Sequence, residues 1–122
     1  MRIAIFLFLL LVGFAHANSK PNFVLIIADD VSPQDIGVFG SENAKTPNID
    51  AIALRGMRFD KAILTASSCS PSRASIATGR YPHNNGAASE LHRPIPPHIP
   101  WFPQILKDAG YYTALSGKSH IG

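Results

Sequence analysis

The chain has 122 residues, with 11 Lys+Arg against 8 Asp+Glu and a single cysteine. That length holds one domain at most, and one cysteine excludes an intramolecular disulfide. A formal charge of +3, with no basic run carrying interleaved aromatics, excludes an argument for nucleic acid binding.

The first segment stands apart from the rest. Arg2 supplies a short positive start, residues 3–14 are an almost unbroken apolar run, and Ala15-His16-Ala17 places small residues where a signal peptidase reads. The run falls short of the roughly 20 residues a bilayer span needs, and polar Asn18-Ser19-Lys20 follows at once. Residues 1–17 therefore read as a signal peptide, with export and no stable membrane anchor expected. Cleavage after Ala17 leaves 122 − 17 = 105 residues, 18–122, and a charge of 3 − 1 = +2. No Asn-x-Ser/Thr sequon occurs, so N-glycosylation is not expected.

Residues 22–28, Asn-Phe-Val-Leu-Ile-Ile-Ala, form a continuous apolar run. Such a run predicts a strand buried on both faces, as in parallel α/β sheets. Asp29-Asp30 ends it, and Pro33, Gly37 and Gly40 break the chain beyond. Thr46-Pro47 opens a helix, with Thr as cap and Pro in the first turn. Ile49, Ile52 and Ala53 share one face of it, and Gly56 closes it. Residues 57–64 predict a second strand. Ser70-Pro71 repeats the cap-plus-proline signal for a helix reaching about Thr78, closed by Gly79. Residues 81–100 hold five of the ten prolines and an Asn85-Gly86 turn pair, which predicts a long surface loop. A third helix is expected over 103–109 and a third strand over 111–115. Alternating strands and helices predict an α/β class.

Position gives several polar residues their interest. Asp29 and Asp30 sit at the C-terminal end of a predicted parallel strand, the edge where ligands gather in open α/β sheets. Their hard oxygens suit Ca²⁺ or Mg²⁺, or they form a solvated turn. Cys69 lies just before a helix start, where unpaired N–H groups and the helix dipole favour an anion. Arg73, in the first turn, carries the paired donors that suit a tetrahedral oxyanion. The alternative is a buried cysteine and a surface ion pair. Lys118 and His120, at i and i+2 after the third predicted strand, offer a charge and a proton, or lie in a solvated loop. A tyrosine-phosphatase thiolate is excluded by spacing: the position six after Cys69 is Ser75, and the arginine is Arg73.

Taken together, these residues resemble the sulfatase family. Cys69-Ser70-Pro71-Ser72-Arg73-Ala74-Ser75-Ile76-Ala77-Thr78-Gly79-Arg80 matches its first signature, C-[SA]-P-S-R-x-x-[LI]-x-T-G-R. Gly110-Tyr111-Tyr112-Thr113-Ala114-Leu115-Ser116-Gly117-Lys118-Ser119-His120 resembles the second, G-Y-x-T-x-x-x-G-K-x-H. Asp29-Asp30 and Thr46-Pro47-Asn48-Ile49-Asp50 match two shorter elements, and all four stand in family order.

The resemblance implies the alkaline-phosphatase-like α/β sandwich with a mainly parallel sheet, of which residues 18–122 are the N-terminal part. It implies that a formylglycine-generating or sulfatase-maturating enzyme reads Cys69, Pro71 and Arg73 and oxidises Cys69 to formylglycine. The hydrated aldehyde then offers one hydroxyl to attack sulfur and a second to expel sulfate, which splits one hard step in two. Asp29, Asp30 and modified Cys69 are implied ligands of one Ca²⁺. Arg73 is implied to stabilise the diol oxygen, Lys118 to bind sulfate, and His120 to hydrogen-bond the diol and assist elimination.

The substrate implied is a sulfate ester or N-sulfate, with a glycan the sensible class for an exported enzyme. His83-Asn84-Asn85-Gly86 and Leu91-His92 are similar to the heparan N-sulfatase branch, although His83, His92 and His98 taken singly read as ordinary loop histidines. The compartment would be periplasmic or extracellular, or lysosomal in a eukaryote. The rivals are a formylglycine-dependent phosphonate or phosphodiester hydrolase and a non-catalytic truncated fragment. Family members are several times longer and carry further metal and sulfate ligands beyond the equivalent of Gly122. A truncated sequence, inactive by itself, is therefore expected.

Overall fold

The computed structural model describes residues 20–121. The expected signal peptide, 1–17, lies outside the described residues.

Among the described residues three helices are present: α1, Pro47–Arg55; α2, Cys69–Thr78; and α3, Phe102–Asp108. Four 3-10 turns accompany them, at Pro33–Asp35, Gly37–Phe39, Pro82–Asn84 and Gly86–Ser89. The proline and glycine punctuation explains most of these limits. Pro47 sits in the first turn of α1, and Gly56 is its C-cap. Gly79 ends α2 at φ 67°, a left-handed conformation that costs a Cβ-free residue little. Its N–H donates to the Ser75 carbonyl at 2.9 Å.

One boundary and one cap differ from expectation. The cap of α2 is Ser68 rather than Ser70, and Cys69 is its first residue. Pro71 thus sits two residues inside, where its missing N–H costs nothing because the first four N–H groups have no intrahelical partner. Thr46 is the N-cap of α1, but its hydroxyl makes no cap bond. It accepts from the Gly37 N–H at 2.8 Å and donates to Asp50 Oδ1 at 2.9 Å. Asp50 Oδ1 also accepts from the Val38 N–H at 2.8 Å. The Thr-Pro-Asn-Ile-Asp element is therefore a clasp that fastens the loop after Asp29-Asp30 onto α1.

No strand is assigned among the described residues. Residues 22–28, 57–64 and 111–115 are without ladder pairing, and their apolar side chains are largely exposed: Val24 at 85%, Ile26 at 80% and Ile63 at 90%. The physical reason is that a strand's N–H and C=O groups bond only to a neighbouring strand, whereas a helix satisfies its own. Local pattern makes these segments strand-prone, and pairing is a property of the neighbours they meet.

The buried centre is α2 and what covers it. Ala74, Ala77, Ala88 and Ile99 are its apolar part; Ser70, Ser72, Arg73, Ser75 and Asn85 are its polar part. The loop at 81–100, expected to lie on the surface, in fact folds back on this helix. Asn85 is fully buried and accepts from the Thr78 hydroxyl at 2.9 Å. Its amide donates toward Ser75 Oγ and the Arg80 carbonyl, each at 3.5 Å. One side chain thereby satisfies three groups on the C-terminal half of α2 and just beyond it.

Candidate active site

α2 begins at Cys69, so the thiol stands at the end of the helix where unpaired N–H groups point outward. Cys69 is half-buried, with its Sγ 3.2 Å from Nδ1 of His120. One turn on, Arg73 projects from the same helix and is almost wholly buried. A buried guanidinium needs partners, because an unpaired charge away from water is costly. Arg73 has two: Nη1 donates to the Lys118 carbonyl at 2.9 Å, and Nη2 lies 3.4 Å from Asp29 Oδ1. Lys118 Nζ donates to the other oxygen, Asp29 Oδ2, at 2.6 Å.

Segments far apart in sequence thus meet at one point. Asp29, Cys69, Arg73, Lys118 and His120, each singled out from the sequence, form one connected cluster. Asp30 does not join it through any contact among the described residues. Its backbone is nevertheless distinctive, at φ 58°. Among the described residues, the non-glycine residues with positive φ are Asp30, His92 and His120. Such conformations cost about 1 kcal/mol or more each and gather at functional sites.

His92 is the residue that sequence reasoning missed. Its Nδ1 is 2.9 Å from Nε2 of His120, and the two rings are 4.8 Å apart, tilted by 41°. It lies 28 positions from His120, in a loop without periodicity. The only sequence signal was its place in the Leu91-His92 pair after the first signature.

Charge within the cluster is uneven: two cations, Arg73 and Lys118, face one carboxylate. The Lys118 hydrogen bond, with the Lys118 and Arg73 charges, holds Asp29 below the ordinary carboxylate value of 3.8 against a smaller opposing effect of burial. His120 is lowered from 6.5, first by burial and then by the charges of Lys118, His92 and Arg73; Asp29 opposes this. An imidazole whose proton affinity is lowered in this way, beside a thiol and flanked by fixed positive charge, is equipped to exchange a proton next to a bound anion. Ser70 Oγ, buried one residue after Cys69, has no hydrogen-bond partner among the described residues.

A calcium ion implied by the resemblance can be tested against these residues. The carboxylates of Asp29 and Asp30 have the right hard-oxygen chemistry. Asp29, however, has both oxygens facing cations. The described residues hold no group of three or more His, Cys, Asp or Glu placed to bind a metal. Two carboxylates fall short of the about six to eight oxygens Ca²⁺ takes. The described residues alone do not make a calcium site.

The comparison with known proteins agrees with the geometry. The sulfatase family model matches residues 21–122, and the chain belongs to the sulfatase family. Steryl-sulfatase from Homo sapiens is 39% identical over 126 residues, covering 95% of this chain and 22% of that protein. Arylsulfatase H from Homo sapiens is 39% identical, covering 86% of this chain and 21% of its own length. N-acetylgalactosamine-6-sulfatase from Canis lupus familiaris is 36% identical, covering 90% of this chain and 23% of its own length. The chain spans about a fifth of the length of these relatives. The family implies an alkaline-phosphatase-like fold. No solved structure matches the chain significantly.

Proposed function

We propose that this chain supplies the nucleophile end of a sulfuric ester hydrolase site, with residue 69 as the reacting group. The observation that carries the reading is the cluster itself: Cys69 at the start of α2, His120 Nδ1 at 3.2 Å from its sulfur, and Arg73 and Lys118 beside it. The sulfur stands where the hydroxyls of a hydrated formylglycine would be carried. Formylglycine supplies a nucleophilic hydroxyl and a second one that allows release of the sulfate.

The chain's own residues divide the remaining work. Nδ1 of His120 accepts the proton that the second hydroxyl loses as sulfate departs. Arg73, fixed by the Lys118 carbonyl and Asp29, presents positive charge to the diol oxygens. Lys118, whose Nζ donates to Asp29 Oδ2 in this structure, would hold a sulfate oxygen. In that arrangement Asp29 and Asp30 would contribute carboxylates to Ca²⁺, which supplies charge neutralisation when bound. The fold class extends to a mainly parallel sheet, in which residues 22–28, 57–64 and 111–115 would be strands.

The relatives are named for a steryl sulfate, an aryl sulfate and a sugar 6-sulfate. What those names share is the sulfate ester, so sulfate recognition is assigned to this cluster and the alcohol is left to other surfaces. A sulfated glycan, export through residues 1–17 and a maturating enzyme that reads Cys69, Pro71 and Arg73 complete the proposal. Peptide mass spectrometry of the segment containing residue 69, made alongside a maturating enzyme, is expected to find the aldehyde. Only thiol, under conditions that mature a control sulfatase, overturns it. Pro71→Ala and Arg73→Ala are each expected to lower conversion.

A further inference from the structure

We propose that His92 is a positioning residue for His120: it accepts the Nε2 proton of His120 and so leaves Nδ1 of that ring free to face residue 69. The inference rests on the reading of residue 69 and His120 as the reacting pair.

The argument begins with the contacts on both sides of one imidazole. His120 Nδ1 is 3.2 Å from Cys69 Sγ, and His120 Nε2 is 2.9 Å from His92 Nδ1. A neutral imidazole carries one N–H and one bare nitrogen. Only two arrangements satisfy both contacts. In the first, His92 Nδ1–H donates to His120 Nε2, and His120 Nδ1–H points at residue 69. In the second, His120 Nε2–H donates to bare His92 Nδ1, and His120 Nδ1 is an acceptor toward residue 69. The protonation of one His92 nitrogen therefore selects the role of the other ring.

Chemistry favours the second arrangement. A group that receives a proton from residue 69 must present a bare nitrogen there. His92 is exposed, so its Nε2–H reaches water and its Nδ1 remains free to accept. The same logic operates where a histidine's distal N–H is held by a third group that sets tautomer and ring orientation.

Backbone conformation is an independent sign. His92 has φ 60° and His120 has φ 47°; with Asp30 they are the non-glycine residues in the left-handed region among the described residues. His92 takes it within a turn, and residues in such conformations gather at functional sites. Both left-handed backbones lie where the two rings meet.

The test reads the tautomer directly. Long-range proton–nitrogen NMR of the ring, on ¹⁵N-histidine-labelled chain, is expected to place the His120 proton on Nε2. His92→Ala removes the acceptor and is expected to shift His120 toward a tautomer mixture. His92→Asn, whose amide oxygen lies near the former Nδ1, is expected to restore the Nε2–H form. An unchanged His120 pattern in His92→Ala overturns the proposal. Should the alanine variant lose its fold, His92→Leu, which keeps the bulk and offers no acceptor, takes its place under the same criterion. In the full-length matured enzyme, His92→Ala is expected to lower kcat about tenfold to a hundredfold with KM within about twofold, and Asn to recover most of it. A wild-type enzyme without sulfatase turnover, but with the tautomer response intact, would sink the functional reading and leave this one standing. Full turnover in His92→Ala sinks this one alone.

Discussion

Helix α2 carries Cys69 and Arg73 of the cluster and the apolar segment 22–28 leads into Asp29, and their surroundings are opposite. Ala74 and Ser70 on α2 are 1% exposed, whereas Val24 and Ile26 are 85% and 80% exposed. The helix satisfies its own backbone and takes its cover from the loop that follows it directly. The extended segment needs a strand on each side and a layer on each face, all from distant sequence. Cys69 and Arg73 are thus placed by short-range structure. Asp29 is held by the salt bridges of its own side chain with Arg73 and Lys118.

The comparison breaks most readily at Asn85. Asn85→Leu removes hydrogen-bond partners of Thr78 Oγ1, Ser75 Oγ and the Arg80 carbonyl at a fully buried position, while Thr78 keeps its bond to the Ala74 carbonyl. The expected loss is about 2–3 kcal/mol in the opening free energy of α2, read by hydrogen exchange of its amides. Unchanged protection would mean that the loop does not hold the helix.

A second, smaller break lies at the clasp. A Cβ on Gly37 would come within 2.7 Å of Asp50 Oδ2. Asp50 cannot move without losing its bonds to Val38 and Thr46. Gly37→Ala is expected to cost about 1–2 kcal/mol, seen as faster exchange in α1 with α2 unaffected.

Acid sharpens the contrast, because it acts on the long-range contacts first. His120 has a folded value below 6.5, so the folded form binds fewer protons than the unfolded one, and stability falls as pH drops through 6.5 toward that lower value. The lowered value of Asp29 adds stability that is complete above 3.8 and is lost as pH falls through its folded value. An NMR titration should therefore find the His120 contacts loosening first and the Asp29 pairs later, with α2 still protected. Simultaneous loss of α2 would mean the two regions are one cooperative unit.

The smallest effect is expected at the exposed segment. Ile26→Thr should change α2 protection by less than about 0.5 kcal/mol, since the side chain is already 80% in water. A larger loss would show that residues 22–28 are covered in solution.

What could be read from the sequence follows the same division. The three helices were legible because their signals are local: proline in the first turn, glycine at the end. The start of α2 was misjudged, since Pro71 fits any of the first positions and Ser68 and Ser70 cap equally well on paper. Strand-prone segments were recognised by composition, but pairing depends on partners that no local pattern reveals. Asp29, Cys69, Arg73, Lys118 and His120 were found because each ends or begins a predicted element or lies within a long signature. The Asn85 lock and the His92 contact were not, since both arise from a loop folding back onto the helix before it.

The left-handed backbones at Asp30, His92 and His120 set two selective pressures against each other. Glycine at any of them would relieve roughly 1 kcal/mol of strain and remove the side chain that the strain positions. A library of variants sorted only for heat resistance should drift toward glycine at 92 and 120. One sorted for turnover should keep both imidazoles and accept the lower melting temperature.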